Sequence, residues 1–295
     1  MNSLKTVLLL GGLSGLLLFL GGLVGGQKGM TIALVMAVGM NFFSYFFSEK
    51  MALSASGAIR VSPEENAHIW HRIAPMTERL CQRMGIPMPK LWVLPEASPN
   101  AFATGRNPSH SSVAVSAGLL DVMDDREVEA VIAHELGHIK HRDILISSVA
   151  ATIAAAITYV GQMMMFAGMG GHRHDDEEDS GSGGLIGGLL MMILAPMAAM
   201  LIQMAISRTR EFSADAAAAK YTGSPDGLIN ALSKLNMWSQ RIPMEASPAM
   251  SHMYIFPVGT GQWMQRLFST HPATEQRIAK LQSYRGLSPA QIPVN

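Results

Sequence analysis

Charge is the scarcest thing in this chain. Only 15% of its 295 residues are Asp, Glu, Lys or Arg, while 48% are hydrophobic; soluble domains average roughly 25% charged residues. With a mean hydropathy of +0.22, the deficit points to membrane segments before any motif is read. Net charge is missing too, since 22 basic and 22 acidic residues cancel. That excludes the basic face of a nucleic-acid-binding protein, so no nucleic acid is expected as a partner. Cysteine is nearly absent. The single Cys81 rules out a disulfide framework and a cysteine-rich metal site, and reads as a small buried apolar residue. A chain without disulfides fits a working domain in the cytosol.

What the chain has instead is four long apolar runs: Thr6 to Val24, Gly29 to Ser48, Ile144 to Gly171 and Ser180 to Ser207. Each reaches the roughly 20 residues that cross a hydrocarbon core. No small-x-small cleavage site marks the first run and a second span follows almost at once, so it reads as an uncleaved anchor. Gly11/Gly15 and Gly21/Gly25 match the small-xxx-small spacing of closely paired helices. The last two runs are rich in Ala, Met and Gly, and a hairpin that only dips into the bilayer is the alternative reading for them. Ten Lys and Arg lie between Lys50 and Arg142, whereas the loop between the third and fourth runs sets one Arg against Asp175, Asp176, Glu177, Glu178 and Asp179. The positive-inside rule then places the acidic loop outside and the soluble parts in the cytosol. The chain divides into two transmembrane helices (1–48), a soluble part (49–143), a transmembrane hairpin (144–207) and a second soluble part (208–295).

In the first soluble part, Pro63 to Gly85 reads as an amphipathic helix with the stripe Ile69, Ile73, Met76 and Leu80. Pro75 predicts a kink or a break in it, and Gly85 and Pro87 end it. Short β-type runs follow at Lys90 to Leu94, Asn100 to Arg106 and Ser111 to Ser116, then a helix from Asp125. Beyond the fourth run the chain is helical again, with a break at Gly223-Ser224-Pro225 and a Pro- and Met-rich loop from Ile242 to Gly261.

The chemistry lies in that helix from Asp125, which contains His134-Glu135-Leu136-Gly137-His138. Helical residues four apart sit one above the other on one face, so two imidazoles can grip one ion, with Glu135 beside them as general base for the attacking water. Zinc in such a site makes water nucleophilic near neutral pH and polarises a scissile carbonyl. A catalytic zinc takes one more protein ligand. Glu211, in the helical stretch Arg210-Glu211-Phe212-Ser213-Ala214-Asp215, is the candidate, although the same stretch also reads as an ordinary amphipathic turn. Asp215, one turn further along the same face, is the candidate carboxylate for the second ring N–H of a bound histidine. Two histidines and a glutamate leave a coordination position open for water.

VIAHELGHIKHRD, SRTREFSADAAAA, PNAFATGR and STHPATEQRIAKLQ together resemble the HtpX-type bacterial membrane metalloproteases, and more distantly the CAAX prenyl endopeptidases. The likeness covers nearly the whole chain. It implies one Zn2+ per chain held by His134, His138 and Glu211. It implies an edge strand at Asn100, Ala101, Phe102 and Ala103 that pairs with an extended substrate through main-chain bonds. It gives His271 to the oxyanion, with Arg277 orienting it or binding a carboxylate; Ala273 stands where the family often has a second proline. The fold it implies is mainly α with a small β-sheet, an integral membrane protein with four transmembrane helices and a cytosolic gluzincin-like metallopeptidase domain. It also implies the bacterial inner membrane, an active site facing the cytosol, and quality control of misfolded or damaged membrane proteins. Membrane-protein substrates and the lipid bilayer are the expected partners, and a homo-oligomer is compatible with this. The alternatives are a CAAX-like protease that trims C-termini and an inactive membrane scaffold.

His138 lies six residues before the third run and Glu211 four after the fourth, about 9 Å and 6 Å of helix. The site is therefore expected near the headgroups. A rigid helical insert after Arg142 is expected to spare soluble casein-like substrates and impair membrane ones.

Overall fold

The computed structural model describes residues 2–145, 208–239 and 272–294. The acidic loop, the fourth apolar run, all but the start of the third, the loop from Ile242 and His271 lie outside the described residues.

The first two apolar runs form one helical stretch, α1 (Asn2–Ala55). It is not straight. Asn41 Nδ2 donates to Ser14 Oγ at 2.9 Å across 27 residues, which a straight helix would separate by about 40 Å. The reversal falls at Gly26, whose φ of 54° is the left-handed conformation that glycine tolerates. Expected pairing through Gly11 and Gly15 is not what holds the two arms: a side-chain carbon at either position would meet nothing within 4 Å, whereas one at Gly22 would meet Met30. Among the described residues no single helix is long and apolar enough to cross a membrane. The pair Gly26–Phe43 and Tyr45–Ala55, bent by 62°, meets the length and composition together. Helix continues to Ala55, seven residues past the boundary expected at Ser48, because its last turns dock on the sheet.

That sheet is mixed, in the order β1-β2-β4-β3: β1 (Ile59–Val61), β2 (Lys90–Leu94), β3 (Ala101–Asn107) and β4 (His110–Ser116). β2 and β4 are parallel, and the outer pairs are antiparallel. Side chains alternate between its faces, as the pleat requires. Leu91, Val93, Ala101, Ala103, Val113 and Val115 enter the main core with the helices, and Leu94, Phe102 and Ala114 pack on Ala52 and Leu53 of α1. Glu49 of α1 takes hydrogen bonds from Lys90 and Ser112.

α2 (Ala67–Met84) buries Ile73, Met76 and Leu80 and runs through Pro75 without ending. Burial of that stripe outweighs the hydrogen bond that proline forgoes. It starts later than Pro63 because Ser62 to Asn66 form a turn, with Ser62 Oγ accepting from Glu64 N and Glu65 N. Arg72 donates to the carbonyls of Leu120 and Met123 and to Asp125, which ties α2 to the connection through α3 (Ala117–Val122) into α4 (Asp125–Lys140).

α4 is the central element, almost wholly buried between the sheet, α2, α5 (Arg208–Thr222) and α6 (Asp226–Ser239). Its first turn is fixed by a reciprocal cap: Asp124 accepts from the Glu127 amide, and Glu127 accepts from the Asp124 amide. Lys234 of α6 clamps the same carboxylate at 2.6 Å. α7 (Thr274–Gln282) packs on α5 and α6. The break at Gly223 to Pro225 falls between α5 and α6, as predicted. Cys81 is buried and its thiol is pushed up to about 12 by burial and by Glu78, in keeping with a packing role.

Candidate metal centre

The spacing of His134 and His138 puts both rings on one face of α4, with their Nε2 atoms 3.2 Å apart. Glu211, in the first turn of α5, brings Oε1 to 3.5 Å from His138 Nε2 and Oε2 to 3.7 Å from His134 Nε2. The ligand atoms of these three residues all lie within 4.8 Å of one another. Bonds of about 2.0–2.2 Å to one tetrahedral ion would set such atoms roughly 3.3–3.6 Å apart, so the donor set fits zinc by size as well as by type.

Two helices reach this closeness because their contact is made of small residues. A side-chain carbon at Gly137 would lie 3.1 Å from Ala214 Cα and 3.2 Å from Ala217 Cβ. The glycine of the α4 motif and the alanines after Glu211 thus let α5 press onto α4 one turn from the ligands.

The ring orientations are fixed from behind. His134 Nδ1 donates to Asp215 Oδ1 at 2.9 Å, the role read for Asp215 from its spacing. Arg277 grips the same carboxylate with two hydrogen bonds, Nε to Oδ2 at 2.9 Å and Nη2 to Oδ1 at 2.6 Å, and its Nη1 is 3.7 Å from Glu211 Oε2. The carboxylate that Arg277 binds is thus the protein's own Asp215, not a group of the substrate as its grouping with the substrate strand implied. Its side chain is 2% exposed, and it serves the metal centre from inside the core. Burial works against charge at both groups. Even so, Arg277 and His134 hold the Asp215 carboxyl below its usual range, and Asp215, Glu211 and Glu135 hold Arg277 protonated.

His138 Nδ1 donates to Asp143 Oδ2 at 3.2 Å, and Arg210 Nη1 stands 3.8 Å from Asp143 Oδ1. The sequence reading assigned Asp143 no role. It lies five residues past His138, beyond the end of the helix, where helical spacing says nothing. The signal was in the turn. The Asp143 amide donates to the His138 carbonyl and the Arg142 amide to the Ile139 carbonyl, the paired bonds of a Schellman ending, with Arg142 left-handed at φ 59°. An L-residue bears about 1–2 kcal/mol for that conformation, and here it folds Asp143 back over the histidine. An insert after Arg142 would separate Asp143 from His138 as well as raise the site.

Glu135 is buried beside His134, and its charge reaches both His138 and Arg277. Burial lowers the His138 pKa, but its hydrogen bond to Asp143 and the charges of Glu211, Glu135 and Asp143 prevail and push it up to about 9. The charge balance points the same way. Glu135, Glu211, Asp143 and Asp215 supply four buried carboxylates, and Arg277 and Arg210 are the two guanidiniums facing them. With His138 neutral, as a metal ligand must be, two negative charges are left over, matching one divalent cation.

Of the proposed substrate strand, Asn100, Ala101, Phe102 and Ala103 all have buried side chains. Asn100 caps its own strand, with Oδ1 accepting from the Ala101 amide, and Phe102 packs on α1. None of the four presents a side chain to a substrate, which is compatible with the expected pairing through the main chain of β3, the terminal strand next to α4.

Comparison with known proteins bears on all of this. Residues 68–285 match the model of peptidase family M48. A protease HtpX homolog of Thermodesulfovibrio yellowstonii is 52% identical over 283 residues, covering 96% of this chain and 98% of that one. One from Desulfatibacillum aliphaticivorans is 48% identical over 288 residues, covering 96% of this chain and 90% of that one. Among solved structures, the crystal structure of S. mikatae Ste24p matches at 19% identity with a TM-score of 0.47. It covers 95% of this chain, which spans 65% of that longer one.

Proposed function

This chain belongs to peptidase family M48 and is a metalloprotease, and on that premise we propose that it is a zinc endopeptidase seated in a membrane, cutting damaged membrane proteins on the cytosolic side. The observation that carries the zinc reading is the convergence of His134, His138 and Glu211 from two helices that meet across Gly137. The membrane reading is supported by α1. Ile32, Val35, Val38 and Phe42 are 59–68% exposed along it, an apolar surface that water alone would not tolerate.

His134, His138 and Glu211 would hold the zinc, whose chemistry when bound would be to make water nucleophilic near neutral pH and to polarise the scissile carbonyl. Glu135 accepts the proton that the attacking water sheds and hands it to the leaving amine. Its burial keeps that carboxylate out of bulk solvent, where the transfer would be wasted. Asp215, locked by Arg277, keeps the His134 Nδ1 protonated and so leaves its Nε2 lone pair free to serve as a ligand. His271 donates to the oxyanion; it lies six residues before Arg277, on the segment that leads into α7. Extended substrate pairs with the main chain of β3, a mode of binding that leaves buried side chains alone.

The test is metal analysis of purified full-length protein with cleavage of a panel of membrane and soluble substrates. Wild type should carry one zinc per chain and Glu211→Ala none. Glu135→Gln should keep the zinc and lose activity by about 10²–10⁴-fold. Full activity in Glu135→Gln would refute the assigned general base. Cleavage of soluble substrates alone would refute the membrane-protein role.

A further inference from the structure

Each histidine of the site leans on a carboxylate, and each carboxylate on an arginine: His134 on Asp215 and Arg277, His138 on Asp143 and Arg210. We infer that Asp143 is a positioning residue of the metal centre, delivered by the left-handed turn at Arg142 to hold the His138 imidazole with Nε2 aimed at His134 and Glu211. This rests on the metal reading above.

His138 needs such a hold more than its neighbour does. Its side chain is 17% exposed against 1% for His134, and it sits in the last turn of α4, where the helix is about to end. A ring free to turn about its own bond presents Nε2 to the metal only part of the time, and a fixed acceptor at Nδ1 removes that freedom. Asp143 has the means to be fixed. Its amide is tied to the His138 carbonyl at 2.9 Å, its side chain is 4% exposed, and the Arg210 guanidinium stands 3.8 Å from its other oxygen. Arg210 is the residue before Glu211, so one carboxylate joins the end of α4, with its histidine, to the start of α5, with its glutamate. These two ends border the 146–207 segment.

The backbone bonds of the turn do not need the aspartate side chain, so substitution separates positioning from capping. Metal-free full-length protein in detergent is titrated with zinc against a chromophoric chelator. Asp143→Ala should bind zinc 10- to 100-fold more weakly than wild type. Asp143→Asn, which keeps a neutral oxygen acceptor facing Nδ1, should fall between. Loaded with Co2+, the alanine variant should show altered ligand-field absorption while its metal-free helix content stays within error of wild type; its metal-free melting midpoint should fall, because His138 and Arg210 lose a buried carboxylate. Wild-type zinc affinity together with an unchanged Co2+ spectrum in Asp143→Ala overturns the inference. If the alanine variant fails to fold, less than a threefold loss in Asp143→Asn overturns it. A wild type that binds no stoichiometric zinc sinks the metal reading itself, and this inference with it. A wild type that binds zinc beside unaffected Asp143 variants sinks this inference alone.

Discussion

Gly137→Ala tests whether the approach of α4 and α5 is what builds the site. The added carbon would lie 3.1 Å from Ala214 Cα, 3.2 Å from Ala217 Cβ and 3.4 Å from Ala214 Cβ. Carbon contacts settle at about 3.5–4.0 Å, and two of the three atoms met are methyl carbons of alanine while the nearest is main chain. No flexible side-chain end can swing aside, so the helices themselves must part by a few tenths of an ångström. Glu211 is three residues before Ala214, less than one turn away, and both histidines lie within three residues of Gly137. The ligand set therefore opens by nearly the same amount. Overpacking costs about 1–3 kcal/mol, and alanine recovers about 0.8–1.0 kcal/mol of helix propensity over glycine. The net loss of stability is then at most roughly 2 kcal/mol. Misplacement of about 1 Å can cost 10²-fold in rate, so a shift of this size should lower kcat/KM roughly 3- to 10-fold at saturating zinc. The assay is peptide cleavage at fixed excess zinc, with zinc affinity and melting midpoint measured on the same preparation. Wild-type kcat/KM and zinc affinity in a folded Gly137→Ala would show that this contact does not set the ligand spacing.

Two further outcomes follow from the buried charges. In the metal-free protein His138 titrates at about 9, so zinc binding at pH 7.5 must displace a proton from it. Calorimetry in two buffers of different ionisation enthalpy should report about one proton released per zinc, and affinity should weaken as pH falls below about 9. The same raised value gives metal-free protein a stabilising contribution that is full below pH 6.5 and fades as pH rises through about 9; no proton release at pH 7.5 would contradict both. Arg277→Met removes the partner of a carboxylate at the centre of the core. Breaking a buried pair from one side costs about 3–5 kcal/mol, so this variant should melt well below wild type even with zinc present, and an unchanged midpoint would mean that Asp215 is held by other groups.

Much of the site was legible because helices translate spacing into geometry. His134 and His138 are four apart and so are Glu211 and Asp215; the resemblance joined the two pairs, and the structure brings all four together. The strands were legible from alternation, since Val113 and Val115 face one core and Ala114 the other. What escaped notice falls where a turn replaces a periodic element. Asp143 returns to His138 through a non-glycine left-handed residue, which no sequence rule flags at an arginine. Arg277 was assigned only through the resemblance, as orienting His271 or binding a carboxylate, and no spacing tied it to Asp215. Only the folded chain shows that Asp215 and Glu211 supply enough negative charge to bury it. The end of α1 was placed seven residues early because hydropathy reports where apolar residues stop, and the helix continues on contacts made by Ala52 and Leu53 with the sheet.

Those last turns of α1 carry the remaining step from fold to function. Phe46 lies under the Arg106 guanidinium of β3 at 5.2 Å, Glu49 is bound by Lys90 and Ser112, and Leu53 packs on Phe102 and Leu94. Contacts at three successive turns fix the segment Tyr45–Ala55, beyond the 62° bend of α1, in direction as well as position against the sheet. The other face of that sheet packs on α4 through Ala101 and Ala103, residues of the strand beside the metal centre. Between Phe47, the last of the exposed phenylalanines, and Ala52, already buried, there are only about 8 Å of helix. On the membrane reading, the apolar surface of α1 ends where the sheet begins, and the sheet passes that depth on to α4. The height of the metal centre above the bilayer is then set by side-chain packing of the last turns of α1 and by the bend before Tyr45, not by a linker. A peptide would reach the site from just above the headgroups without leaving the membrane surface.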